Sequence, residues 1–70
     1  MKFILTIYVC SFLDFTCSPG VQYPVVLDNW HKCVIKAFDE SKDLIIKIPP
    51  DVVEKHRLAT KYTCEPVIGT

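Results

Sequence analysis

Residues 3–13 read FILTIYVCSFL, an apolar run that begins directly after Lys2 and stops at Asp14. A positive residue, then a short apolar core, then small residues is the layout of a secretory leader. The run is too short to cross a bilayer as a helix, which takes roughly 17 to 25 residues. A cleaved leader is therefore preferred to a signal-anchor or to a buried strand. Signal peptidase admits small side chains at the last and third-last leader positions, and Ser18-Pro19-Gly20 before Val21 meets that pattern. The expectation is a helical signal peptide over residues 1–20 and one small mature domain over residues 21–70.

That cut removes Cys10 and Cys17 and leaves Cys33 and Cys64. In an oxidising secretory route an even pair reads as one disulfide. A loop of about thirty residues gives a loop-entropy stabilisation of about 3 to 4 kcal/mol, comparable to the whole stability of so small a domain. An earlier cut that kept Cys17 would leave an odd count and favour a covalent dimer.

Downstream, Val26, Leu27, Trp30, Cys33, Val34, Ala37 and Phe38 fall within an arc of roughly 140° at helical spacing. Asp28, Asn29, Lys32, Lys36, Asp39 and Glu40 take the other side, so Val26–Phe38 reads as an amphipathic helix with Pro24 near its start. Its core would be Val26, Leu27, Trp30, Val34 and Phe38. Leu44–Ile48 is a short branched apolar run ended by Pro49-Pro50, which lack amide donors and stop either a strand or a helical turn. Asp51-Val52-Val53-Glu54 resembles a capping box, and a second helix is read from Val52 to about Thr63, with an extended tail over residues 65–70. The fold expected is a mainly α miniprotein, a two-helix hairpin stapled by Cys33–Cys64. A small α+β fold is the alternative, because twelve of residues 21–70 are Val or Ile.

Composition excludes several functions. Eight Lys plus Arg balance eight Asp plus Glu, so the cationic footprint of a nucleic-acid binder is missing. His31, Cys33, His56 and Cys64 lack the paired spacings of a zinc site, and the disulfide competes for the thiols. Gly69 is the one glycine after residue 20, so no glycine-rich phosphate loop is present. An oxidised cysteine cannot act as a nucleophile, and no enzyme, metal or cofactor is expected. No Asn-x-Ser/Thr sequon occurs.

Three constellations point to binding. Lys55, Arg57 and Lys61 lie along the second expected helix, opposed only by Glu54, while Asp39, Glu40, Asp43 and Asp51 cluster near the turn. Such a dipolar surface would orient the molecule on a charged partner. Ile46-Lys47-Ile48-Pro49-Pro50 ends in Ile48-Pro49-Pro50, which resembles over three residues the rigid end of the reactive loop of Bowman–Birk protease inhibitors. The resemblance implies inhibition of a serine protease by a preorganised loop, with Ile46 as the specificity residue and Lys47 after it. Pro24–Asn29 followed by Cys33-Val34 resembles a segment of the secretoglobins, which implies an interchain disulfide and a hydrophobic ligand.

The function expected is that of a secreted, single-disulfide miniprotein that binds an extracellular protein (receptor, channel or protease) as a venom or salivary effector or a hormone-like ligand. Protease inhibition and a secretoglobin-like carrier dimer are the alternatives. No nucleic-acid partner and no membrane span after processing are expected, and a monomer is preferred to a covalent dimer.

Overall fold

A computed structural model describes residues 1–67. Its elements are β1 (Phe3–Ser11), β2 (Thr16–Cys17), β3 (Val21–Leu27), α1 (Trp30–Lys47), α2 (Pro50–His56) and β4 (Leu58–Pro66). The four strands make one antiparallel sheet, so the fold is α+β and the expected two-helix hairpin is not formed.

The apolar run at the amino terminus is the reason. Phe3, Ile4, Thr6, Ile7, Tyr8 and Val9 are branched or aromatic residues that suit a pleated surface. In the full chain they form the central strand of the sheet and not a helix. β4 runs along the whole of β1, from Phe3 opposite Pro66 to Ser11 opposite Leu58. The other edge of β1 is shared by two strands. β2 pairs Cys10 with Cys17 and Ser11 with Thr16, while β3 pairs Phe3 with Leu27 and Ile7 with Val21. Excising residues 1–20 would therefore delete β1, the sole sheet partner of β4 among the described residues.

Pro24 lies in β3, not in the first turn of a helix. The β1–β3 register slips between Ile4 and Thr6, so extra residues of β3 bulge beside Leu5. An edge strand with a bulge is where a residue without an amide donor is tolerated.

Helix α1 starts four residues later than the periodicity predicts. Asn29 Oδ1 accepts from the Lys32 amide at 2.8 Å and caps it. Val26 and Leu27 are left in β3. The helix also runs further, through Lys47, so most of the apolar run that Pro49-Pro50 ends forms its last turns. Its inward stripe is Cys33, Ala37 and Leu44. That stripe is turned by roughly 50° from the centre of the arc read in the sequence, because Val34 and Phe38 on the far side of the arc are left half-buried and exposed.

Arg57 ends α2 in the left-handed conformation (φ 53°), its amide donating to Glu54 O and Val53 O. Chain reversal there converts the rest of the expected second helix into β4. Pro49 occupies the cap position and Pro50 the first turn, so Asp51 is a first-turn acid rather than the cap.

Alternation along β1 divides the sheet into two faces. Phe3, Leu5 and Ile7, with Tyr62 and Cys64 opposite, face α1 and form the core with Cys33 and Ala37. The Cys33–Cys64 bridge ties α1 to β4 across this core. Ile4, Thr6, Tyr8 and Cys10 face away from the helix, with Glu65, Thr63, Lys61 and Ala59 opposite them. Over this second face passes Gly20, where an added Cβ would sit 2.6 Å from Thr6 Cγ2 and from Tyr8 Cε2.

The core is thin. Among the described residues only Leu5, Ile7, Cys10, Cys33 and Ala37 are buried, while eleven large apolar side chains are exposed. The radius of gyration is 13.3 Å and the long axis 44 Å, against about 11 Å expected for a chain of this length. Such a core needs covalent help, and the two disulfides supply it.

Candidate functional site

One turn concentrates exposed apolar surface on a rigid frame. Between β1 and β2 the chain reverses through Phe12-Leu13-Asp14-Phe15, and Cys10–Cys17 closes the hairpin behind it. Phe12, Leu13 and Phe15 are 61%, 57% and 87% exposed. Asp14 is the only charge in the turn.

The base of this hairpin is clamped from several directions. Ser11 Oγ donates to His56 O at 2.9 Å and accepts from the Asp14 amide at 3.3 Å. The Phe12 amide donates to Arg57 O at 3.0 Å, tying the turn to the end of α2. On the β2 side the Ser18 amide donates to Val9 O at 2.8 Å, and Ser18 Oγ accepts from the Val9 amide at 3.2 Å. A shallow cavity of about 260 Å³ lies against the hairpin, lined by Cys10, Ser11, Phe12, Phe15, Cys17 and Lys61.

Phe15 adopts φ 59°, a left-handed conformation costing a bulky L-residue roughly 1 to 2 kcal/mol. Its ring gains no burial in return. Strain that the fold maintains without packing benefit is a mark of a functional turn. A disulfide, a strained aromatic and a ring of backbone hydrogen bonds thus hold three apolar side chains out in solvent. The arrangement can present a preformed contact surface at little ordering cost.

The residues singled out in the sequence fall elsewhere. Lys55 is in the last turn of α2, Arg57 is its left-handed cap, and Lys61 is in β4 with its ammonium 5.0 Å from the Tyr8 ring centroid. They share no helix face, because the helix expected to carry all three ends at His56. Arg57 and Lys61 do flank the hairpin, the first through its carbonyl and the second beside the cavity. Ile46 and Lys47 are helical, and only Ile48 and Pro49 are extended before Pro50 enters α2. The segment is therefore not an exposed substrate-like loop. Ile45, Ile46, Ile48, Pro50 and Val53 line a shallow groove between the two helices instead.

Of the core residues expected from the sequence, Leu27 and Val34 are half-buried. Val26, Trp30 and Phe38 are exposed, the last two resting edge-on against Phe3 and Tyr62. His31 is exposed on α1 and His56 closes α2, and no group of metal-ligating side chains converges among the described residues. Cys33 and Cys64 are joined, Cys10 and Cys17 are joined, and no cysteine is free for an interchain bond. Of the tail over residues 65–70, Glu65 and Pro66 are extended at the end of β4, and residues 68–70, Gly69 among them, lie outside the described residues.

Phe12, Leu13, Phe15 and the Cys10–Cys17 pair escaped sequence reading because they fell within the leader assignment. The signal was present. Two cysteines flank a short turn with a central Asp14, and Ser18-Pro19-Gly20 follows, which is hairpin punctuation as much as a cleavage site.

One ionisable cluster sits apart from the hairpin. Tyr23 reaches from β3 to Glu40 of α1, its hydroxyl donating to Oε2 at 3.1 Å, and Lys36 pairs with the same carboxylate at 3.1 Å. The Lys36 hydrogen bond first, and then that of Tyr23, hold the Glu40 carboxyl below its ordinary range. Partial burial first, and then Glu40, push the Tyr23 phenol upward. The cluster clamps β3 on the helix.

No protein-family model, no curated protein and no solved structure matches this chain.

Proposed function

We propose that this chain is a disulfide-stapled binding module that works in an oxidising, extracellular setting and engages a protein partner through the Phe12–Phe15 turn. One observation carries the reading. The molecule spends a disulfide on holding Phe12, Leu13 and Phe15 rigidly in water, and apolar side chains on a preorganised support are what interface hot spots require.

Supporting features are the two disulfides, which form and persist in oxidising compartments. No helix among the described residues is long and apolar enough to cross a membrane. The partner expected is an extracellular domain with an apolar pocket that takes the Phe12, Leu13 and Phe15 side chains.

The test is to probe an array of displayed extracellular domains with the oxidised 70-residue chain. Saturable binding that is lost in F12S/F15S and kept in I46S supports the reading. Absence of saturable binding, or binding that F12S/F15S leaves intact, overturns it.

A further inference from the structure

The sheet has two outer edges, and they are not alike. β3 is broken by a register shift and carries Pro24, both of which blunt an edge against further pairing. β4 is nine residues long, runs in unbroken register against β1, and has its single proline at its final position. Among the described residues no strand pairs with its outer side, and no side chain hydrogen-bonds to its backbone. The ladder bonds Phe12 N to Arg57 O and Val67 N to Lys2 O turn the odd-numbered residues of β4 toward β1, so the amides and carbonyls of Leu58, Thr60, Tyr62 and Cys64 are open on the outer side.

The side chains along this edge are complementary to themselves. Lys61, Thr63 and Glu65 share the face turned away from α1. Lys61 and Glu65 are exposed, and neither joins a salt bridge among the described residues. In an antiparallel pairing of two β4 strands about a two-fold axis at Thr63, Lys61 of each copy stands opposite Glu65 of the other. Moving the axis to Lys61 stacks the two lysines, and moving it to Tyr62 sets Lys61 opposite Thr63, so charge selects the first register. Thr63 Oγ1 is buried with no hydrogen-bond partner among the described residues. On the axis it meets its own copy, where a rotation about χ1 gives a cross-strand Thr–Thr hydrogen bond.

The opposite face fits as well. A two-fold axis perpendicular to the sheet leaves both α1 helices on one side. Phe38 lies edge-on to Tyr62 of β4 and is 60% exposed, so Phe38 of each copy borders the seam and is covered there.

We propose that the outer edge of β4 pairs antiparallel with a second copy of this chain, about Thr63, to make one continuous sheet held by reciprocal Lys61–Glu65 pairs. The pairing is non-covalent, since all four cysteines are bridged within the chain. It does not depend on the Phe12–Phe15 turn and stands or falls separately.

Sedimentation equilibrium of the oxidised full-length chain tests it. The wild type should move from monomer to dimer mass with increasing concentration. Lys61→Glu alone and Glu65→Lys alone should each weaken the dimer by roughly tenfold or more, and K61E/E65K should restore it. Circular dichroism checks that each variant is folded. Hydrogen exchange on the wild type gives a reading without any variant, in which protection of the Thr60, Tyr62 and Cys64 amides rises with protein concentration. A monomer at every concentration, or a dimer indifferent to the single charge reversals, overturns the proposal.

Discussion

Replacing Cys33 and Cys64 with serine should remove most of the stability of this molecule. The bridge closes a loop with a sequence separation of 31, for which chain entropy gives about 3.7 kcal/mol at 25 °C. Cys33 is fully buried, and a serine hydroxyl left there without a partner costs about 1 to 3 kcal/mol more. A chain of this length carries roughly 3.5 to 10 kcal/mol in total, so C33S/C64S should be largely unfolded at 37 °C. The hairpin bridge spans a separation of only 7, worth about 2.4 kcal/mol by the same relation. Cys10 is buried as well, so C10S/C17S carries a similar hydroxyl cost and should be destabilised by about 1 kcal/mol less than C33S/C64S, the difference set by the shorter loop. The assay is urea unfolding of the three oxidised proteins, followed by far-ultraviolet circular dichroism. Free energies must be compared rather than midpoints alone, because opening the larger loop exposes more surface and raises the slope. A cost below about 1 kcal/mol for C33S/C64S, or a larger cost for C10S/C17S, would refute the reasoning.

Three further outcomes follow from the geometry. Intact mass of the folded, oxidised protein should show residues 1–20 retained and a gain of four hydrogens on reduction, since both bridges are internal; an amino terminus at Val21 with a gain of two would refute the sheet. Gly20→Ala should destabilise by roughly 1 to 3 kcal/mol, because its methyl enters the space of Thr6 and Tyr8; an unchanged melting temperature contradicts the strap over that face. The Tyr23 phenol is raised by partial burial and by Glu40, so its contribution is full below the ordinary value of about 10 and lost as pH rises past it. Glu40, lowered by Lys36 and Tyr23, contributes above the ordinary carboxyl value and loses that contribution as pH falls through its folded value. Tyr23→Phe should flatten the alkaline limb of a stability-against-pH curve, and a limb identical to wild type would count against the clamp.

Sequence reading reached the helix that matters and missed the sheet. Trp30–Phe38 is helical because its apolar spacing and polar face are unmistakable. Its start was misplaced, since Asp28-Asn29 offers a cap that periodicity ignores. Phe3–Leu13 satisfies two physical descriptions at once, a leader and a buried strand, and nothing local separates them. The strand reading gains its force only from β4, more than forty residues away. β4 itself was hidden because Ala59, Lys61 and Tyr62 tolerate a helix, and the reversal at Arg57 depends on a left-handed residue that is not glycine. The hairpin turn was lost together with the leader assignment, although its cysteine spacing and turn residues were legible.

The central position of β1 has a consequence for how the protein is made. Phe3 pairs with Pro66, so the first strand synthesised is completed by the last. β3 and α1 can pack early against one edge and one face of β1, but its other edge stays unpaired until Leu58–Pro66 have left the ribosome. Pairing at such separations is slow to form. Through most of translation the nascent chain therefore carries a central strand with one bare edge. How long that edge stays open is set by how soon β4 arrives.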